Sequence, residues 1–412
     1  MQSPFKRALP WMMAEGALAL GFETLVGPIY IGAWAGRMGI PAEKLPWLTA
    51  LPLLGAVGQL IGVAALSGLS SRLPLKWLCI TLSSLARSLW CLLFLFPSAT
   101  PEMVGIVGAV SSAIGLTSTS FWMAWMKGCV PRRFEGRFWG VRARGSTLGV
   151  LSAHVIAGVT LWHLERTGAE KLLPFAVLLA VAMLSALGSV LILATLPEGK
   201  PPARRVKHIE LLRSRPHMRL LVITCLFQAG MGMVGPYFPY YFTHEMGLPS
   251  AEISLWYGLT QVGMAVSAIF WGRRWDRTFA GRGPKPASML RFTGILLALS
   301  PLPYVVNDPA WLHWIGPPEY FINGVFFAGF QIGISTILFK AVGKQDSGQA
   351  TVLFSLLAAS QGVTSAAAAW LGSKLALWLA PWGGFRALWV VGTAFRLSVA
   401  IWVLPRLSRN PH

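Results

Sequence analysis

The chain has 412 residues, of which 54% are hydrophobic and only 12% charged, with a formal net charge of +20 and a mean hydropathy of +0.58. Soluble domains carry about 25% charged residues, so this composition excludes a soluble globular protein and describes a chain that crosses a membrane many times. Basic residues gather in the loops on one side of such proteins, which accounts for the positive balance without nucleic acid as a partner.

Apolar runs near 11–34, 46–70, 75–97, 103–127, 145–164, 172–196, 218–242, 252–272, 286–306, 318–340, 350–373 and 384–404 predict twelve helices, α1 to α12. About 20 apolar residues suffice to cross a bilayer. The first run is bounded by Trp11 and Trp34, as expected at two water interfaces, and is too long for a signal peptide, so it reads as a retained anchor. It carries Glu15 near its start and Glu23 at mid-depth. A charge at the bilayer centre costs roughly 2.5–3.5 kcal/mol on insertion scales, so Glu23 is tolerable only where protein or water surrounds it. Gly16, Ala19, Glu23, Gly27 and Tyr30 share one helical face, and small residues there let another helix approach. Two roles fit Glu23: proton or substrate handling, and a structural ion pair. Glu15 lies about 80° around the helix from Glu23 and is expected to meet a loop or a latch.

In α3, Arg87 shares a face with Ile80, Ser83, Ser84 and Trp90 and is the natural counter-charge for α1. In α4, Ser111, Ser112, Thr117, Ser118, Thr119 and Ser120 precede Trp122 and Trp125. His154 and His163 of α5 are too far apart for one metal site, and each reads as hydrogen-bonded structure. Further polar and aromatic candidates are Gln228, Tyr237, Tyr240 and Tyr241 in α7, and Trp256, Tyr257 and Gln261 in α8. Asn323, Gln331, Ser335 and Thr336 in α10 and Gln361 in α11 complete them. Such a set suits an organic, partly apolar solute better than a bare ion. Arg291 of α9 has no acid at the matching place in α7, where Gln228 is the nearest polar residue. With Arg87 it reads as an architectural pair, and alternatively as a contact for an anionic substrate. Arg396 in α12 is expected to snorkel toward the cytoplasm. Gly58 with Gly62, and Gly329 with Gly333, have the spacing of close helix packing. Cys79, Cys91, Cys129 and Cys225 show neither metal spacing nor a disulfide framework. No phosphate-binding Gly-Lys-Ser/Thr loop is present, so neither a metal, a cofactor nor an ATP-driven pump is expected.

If the chain starts inside and alternates, 26 of its 35 Lys and Arg fall on the cytoplasmic side. Six fall opposite: Arg37, Lys44, Arg166, Lys171, Lys374 and Arg386. The asymmetry predicts both termini in the cytoplasm, most simply at a bacterial inner membrane. A basic linker at 197–217 would separate an N-terminal six-helix bundle at 1–196 from a C-terminal one at 218–412.

The halves repeat. Val26-Gly27-Pro28 returns as Val234-Gly235-Pro236, and Met38-Gly39-Ile40-Pro41 as Met246-Gly247-Leu248-Pro249, both 208 residues later. At an offset of 204, Gly68 aligns with Gly272, and Ser84, Arg87, Leu92, Leu93, Leu95 and Pro97 with Ser288, Arg291, Leu296, Leu297, Leu299 and Pro301. In α4 and α10, Ile114-Gly115 and Phe121 match Ile332-Gly333 and Phe339. Matches in this order across four helices indicate duplication.

Two six-helix halves in one orientation, joined by a linker, are a known transporter plan, and the chain resembles the major facilitator superfamily over essentially its whole length. The superfamily's loop signature after α8 is matched by Gly272, Asp276 and Arg277, with Gly281-Arg282 displaced by two positions. After α2 only Gly68, Arg72 and Lys76 remain, without the acid. The resemblance implies a latch on the cytoplasmic side at these residues, a charge pair with helix-end contacts made in one state. It also implies that α1, α4, α7 and α10 line a central cavity, which places Glu23 on the path of substrate and protons. The Arg in α4 and the Gly-Pro motif in α5 of proton-coupled drug exporters are absent. The expectation is therefore an all-α membrane protein of twelve transmembrane helices in two pseudo-symmetric bundles, not an enzyme. It would act as a monomeric secondary transporter of a small organic solute, proton-coupled, with the lipid bilayer as its surroundings. Its candidate residues are Glu23, Arg87, Trp122, Gln228, Tyr237, Tyr241, Gln261, Arg291, Asn323, Gln331 and Gln361. The alternatives are a flippase or exporter of amphiphilic molecules on the same fold, a non-transporting receptor or scaffold, and a membrane-embedded enzyme.

Overall fold

The computed structural model describes residues 4–66, 73–95, 100–129, 135–167, 172–198, 215–279, 281–306, 308–341, 347–404 and 406. The twelve helices form two six-helix bundles. In the first, α1 runs Pro4–Leu25 and resumes at Pro28–Arg37; α2 is Ala42–Leu66 and α3 covers 75–95. It continues with α4 at Pro101–Cys129, α5 at Glu135–Arg166 and α6 at Leu173–Thr195. In the second, α7 runs Arg215–Val234 and on through a tightened turn to Phe238–His244, α8 is Ser250–Phe279, and α9 is Pro286–Leu299 with Leu302–Val305. Then come α10 at Pro309–Ala341, α11 at Ser347–Trp378, and α12 at Phe385–Ser398 extended by a π-turn to Val403. Among the described residues, nine of these segments are long and apolar enough to cross a membrane. The linker expected at 197–217 lies mostly outside the described residues.

Both repeated tripeptides are breaks. Pro lacks the N–H that a helix interior needs, and it drives the residue before it toward extended backbone. Gly27 is extended (φ −82°, ψ 174°) and α1 restarts at Pro28. In α7 the same sequence tightens the helix to 3-10 at Gly235–Tyr237. Both repeated tetrapeptides are caps: Gly39 and Gly247 have φ of +64° and +65°, the left-handed conformation that only Gly enters without steric cost. At the first cap, Gly39 N donates to the Gly36 carbonyl at 3.1 Å and Ile40 N to that of Ala35 at 3.0 Å, closing the orphan carbonyls of a helix end.

An even number of crossings leaves both chain ends at one end of the bundle. At the opposite, far end the bundles share one apolar core: Ala35, Ile40, Leu45, Leu48 and Val104 pack with Tyr237, Tyr241, Phe242, Trp256 and Trp389. Toward the termini the cores are separate, one around Trp122, Trp125 and Met126, the other around Trp271, Trp275, Phe227 and Phe330. The cleft between the bundles is thus closed at its far end.

Two boundaries differ from the sequence expectation. Helix α5 begins at Glu135 rather than 145, so Arg142, counted above as a loop cation, lies inside the bundle. Helix α10 begins at Pro309 rather than 318, which sets Glu319 well inside it.

Candidate functional site

The N-terminal bundle is built around a buried ion pair. Helices α1 and α5 touch backbone to backbone because α5 has glycines there. A Cβ at Gly145 would stand 2.7 Å from the Met13 carbonyl, and one at Gly149 would collide with the backbone of Ala17. That approach brings Arg142 Nη1 to 2.7 Å from Glu15 Oε2 and 3.2 Å from the Met12 carbonyl. The guanidinium lies 3.8 Å over the Trp122 ring, a cation–π contact. Glu15 is 3% exposed, and its other oxygen accepts from Ser189 Oγ at 3.2 Å. Ser189 in turn accepts from Arg87 Nη1 at 3.1 Å, and Arg87 sits over Phe22. Glu15 is therefore a core residue, not the loop or latch partner expected. Among the described residues, no ion pair joins Arg87 to Glu23; Arg87 is held by Ser189 and the Ala186 carbonyl.

Glu23 is two turns further along α1, and its side chain is solvent-accessible. Leu18, which faces Gly188 of α6, lies about 140° away around the helix. The charges that act on Glu23 are Arg87, Glu15 and Arg142, all inside the bundle. Glu23 is thus on the side of α1 turned away from α6 and toward the bundle's charged interior, and it is open to water there. A carboxylate kept accessible inside an apolar span can exchange a proton or meet a cationic or hydrogen-bonding solute.

The C-terminal bundle has ionisable groups of its own, Glu319 and Arg396, and the sequence reading missed Glu319. Glu319 accepts from the Tyr304 hydroxyl and from Asn323 Nδ2 at 3.4 Å. Arg396 is 3% exposed and donates to the Leu297 carbonyl at the end of the first segment of α9, where the helix dipole favours a cation. It does not snorkel to the surface as expected, because this carbonyl and the field of Glu319 hold it inside. Arg291, the repeat counterpart of Arg87, is exposed while Arg87 is partly buried, so the two do not have matched surroundings.

At the far end a set of hydrogen bonds joins the bundles. The Tyr30 hydroxyl lies 2.8 Å from His154 Nδ1 and 2.7 Å from Ser254 Oγ, and Ser254 Oγ donates to the His154 carbonyl at 2.7 Å. Tyr240 donates to the Ile40 carbonyl at 3.1 Å, and Ser373 to that of Ala42 at 3.2 Å. The tips of α1 and α7 meet through glycine: a Cβ on Gly32 would stand 3.2 Å from Pro239, and one on Gly36 would overlap Thr243 Oγ1. Beside this seal, a cavity of about 290 Å³ opens between α1, α3 and α6, lined by Val26, Tyr30, Trp34, Trp90, Phe175 and Leu179 among others. Trp90 Nε1 is satisfied by Ser111 at 2.9 Å and the Tyr30 hydroxyl by the clasp, so these walls offer apolar surface.

The remaining sequence candidates divide. Gln228, Gln261 and Gln361 are partly exposed and Gln331 is exposed, each inside a span. Gln261 shares the face of α8 that carries Gly258, and Gly258 is against His154 and Leu151 of the opposite bundle. Tyr237 and Tyr241, by contrast, are fully buried in the shared core; Tyr237 donates to the Ala369 carbonyl and Tyr241 packs edge-on to Trp389 at 5.6 Å. Trp122 is buried as the platform for Arg142. Of the latch residues, Gly272 is partly buried and Arg277 exposed, with Arg282 N donating to the Arg277 carbonyl at 2.8 Å through a left-handed Gly281. Gly68, Arg72 and the side chain of Asp276 lie outside the described residues. Among the described residues, no group of His, Cys, Asp and Glu could hold a metal.

A family model of the Major Facilitator Superfamily matches residues 16–366. The chain belongs to that superfamily. No curated protein matches its sequence. Solved structures of this superfamily's fold are similar along nearly the whole chain. The D-xylose–proton symporter superposes with a TM-score of 0.72 at 14% identity, covering 97% of each chain. A bacterial homologue of the human lysosomal transporter Spinster, inward-facing and unoccupied, gives 0.70 at 13%, covering 99% of this chain and 98% of that one. The nucleoside transporter NupG gives 0.68 at 12%, covering 99% and 100%. As a superfamily member the chain is a multi-pass membrane protein of the transporter class.

Proposed function

We propose that the protein moves a small organic solute across the membrane by alternating access, and that Glu23 couples this movement to protons. The observation that carries the reading is an accessible carboxylate at mid-span, in the field of three charged residues of its own bundle, in a protein whose two bundles are sealed together at the far end. Gln228, Gln261, Gln331 and Gln361 are the amides that would meet the solute, and the opening toward the termini would face the cytoplasm. Residues 1–196 and 218–412 would rock as bodies, with Asp276 and Arg277 latching the other state. Reconstituted Glu23→Gln protein is expected to bind solutes found by a thermal-shift screen of metabolites yet lose gradient-driven uptake. Uptake that still follows an imposed pH gradient would remove Glu23 from the mechanism.

A second reading, export of amphiphilic molecules, is favoured by the apolar cavity beside the break in α1. Its expected result is transfer of a fluorescent lipid between leaflets of proteoliposomes, blocked by Ala176→Trp, which fills the cavity. Transfer at the rate of protein-free liposomes would exclude it.

A further inference from the structure

We propose that Glu319 is a second proton-binding carboxylate, set in the C-terminal bundle and held there by neutral hydrogen-bond donors. The inference rests on the reading of the protein as proton-coupled and deepens it, since Glu23 is exposed while Glu319 is only partly so and is hydrogen-bonded to a buried tyrosine.

Glu319 lies in an apolar span, and both hydrogen bonds it accepts come from neutral donors, Tyr304 and Asn323. Among the described residues, no cation comes within ion-pair distance of it. Arg396 acts on it from further away, its guanidinium donating to the Leu297 carbonyl. A carboxylate so placed is expensive to keep charged and has no fixed counter-charge to keep it so. Glu319 itself is only partly exposed, and its neighbours are buried rings. Tyr304 is 2% exposed and Tyr320 5%, and the Tyr304 ring meets Phe238 at 5.2 Å and Phe242 at 5.1 Å. The chemistry available is a single exchange. In the charged form Tyr304 and Asn323 donate to the carboxylate. One proton taken from water gives the neutral acid, whose O–H donates to the Tyr304 oxygen once that hydroxyl turns away; the same proton returns to water.

The position gives this exchange a consequence. The titratable and charged groups that face Glu319 are Tyr304 in the second segment of α9, Tyr320 on its own helix, Tyr257 of α8 and Arg396 of α12. Tyr257 stands between Tyr320 of its own bundle, with ring centroids at 4.9 Å, and His154 of the opposite bundle at 5.9 Å, and His154 in turn holds Tyr30 within the first bundle. A change of charge at Glu319 is thus felt through packed rings at the clasp that joins the bundles.

Infrared difference spectra of the liposome-embedded protein, recorded through a pH titration, test the assignment. The wild type is expected to gain a carboxylic-acid C=O band on acidification. Glu319→Gln should lose one acid's worth of that band, Glu23→Gln should keep that component, and Tyr304→Phe should shift the pH at which it appears. An unchanged band in Glu319→Gln overturns the proposal. Should that variant not fold, an unmoved midpoint in Tyr304→Phe overturns it instead. If Glu23→Gln alone removes the band, this inference fails while coupling through Glu23 stands.

Discussion

Arg142→Gln is expected to be the most damaging single change in the protein, costing about 3–5 kcal/mol, the usual range when one partner of a buried pair is removed. It strips Glu15 of the donor 2.7 Å away and leaves a carboxylate that is 3% exposed with the Ser189 hydroxyl. Glu15→Gln should cost less, because Arg142 retains the Met12 carbonyl and the Trp122 face. The double variant should recover most of the loss, since neutralising both partners is close to neutral where geometry permits. Thermal unfolding in detergent across the four proteins gives the coupling energy directly. A double variant no better than Arg142→Gln would show that the guanidinium acts through the tryptophan and the backbone rather than through the acid.

Gly36→Leu is expected to force the far end open. The added side chain has no place between the tips of α1 and α7, where a Cβ would overlap Thr243 Oγ1 and lie 3.3 Å from the Tyr240 carbonyl. Overpacking costs typically about 1–3 kcal/mol, and here the cost falls only on the state in which the tips touch. A coupling of that size shifts a two-state equilibrium roughly 5- to 150-fold. Spin labels at the exposed positions Met38 and Glu245, which flank the seal, should report the change as a longer distance distribution. An unchanged distribution with normal folding would mean that the tips slide past each other and that the glycine contact does not set the equilibrium.

The architecture was readable from sequence because apolar runs, positive-side asymmetry and the offset of 208 residues all record the demands of a bilayer on a duplicated chain. Even the meaning of the repeats was within reach: Val-Gly-Pro breaks a helix and Gly before a β-branched or Leu residue and Pro caps one. The charged groups were harder. Arg142 precedes the apolar run of α5 and so reads as a loop residue, and only the close approach allowed by Gly145 and Gly149 brings its guanidinium to Glu15. Glu319 sits at the edge of the apolar run at 318–340, so the sequence does not set it deep in a helix, whereas α10 begins at Pro309 and carries Pro317 and Pro318 inside it. Arg396 was expected at the surface on the rule for long basic side chains, which does not see a carbonyl on another helix. Tyr237 and Tyr241 have the chemistry of a binding wall, but aromatic rings serve a dry core equally well, and sequence carries no sign of which side of a helix the partner bundle occupies.

The matched breaks and caps have a bearing on how the protein diverged after duplication. Both halves retain an elbow at the same tripeptide and the same stopper after it, whose glycine angles agree within one degree. Their inward acids differ: Glu15 bound to Arg142 on one side, Glu319 bound to Tyr304 and Asn323 on the other. The moving parts have stayed symmetric while the electrochemistry has specialised, so a mutation transplanted from one half to its counterpart should disturb the stroke alike and the proton traffic differently.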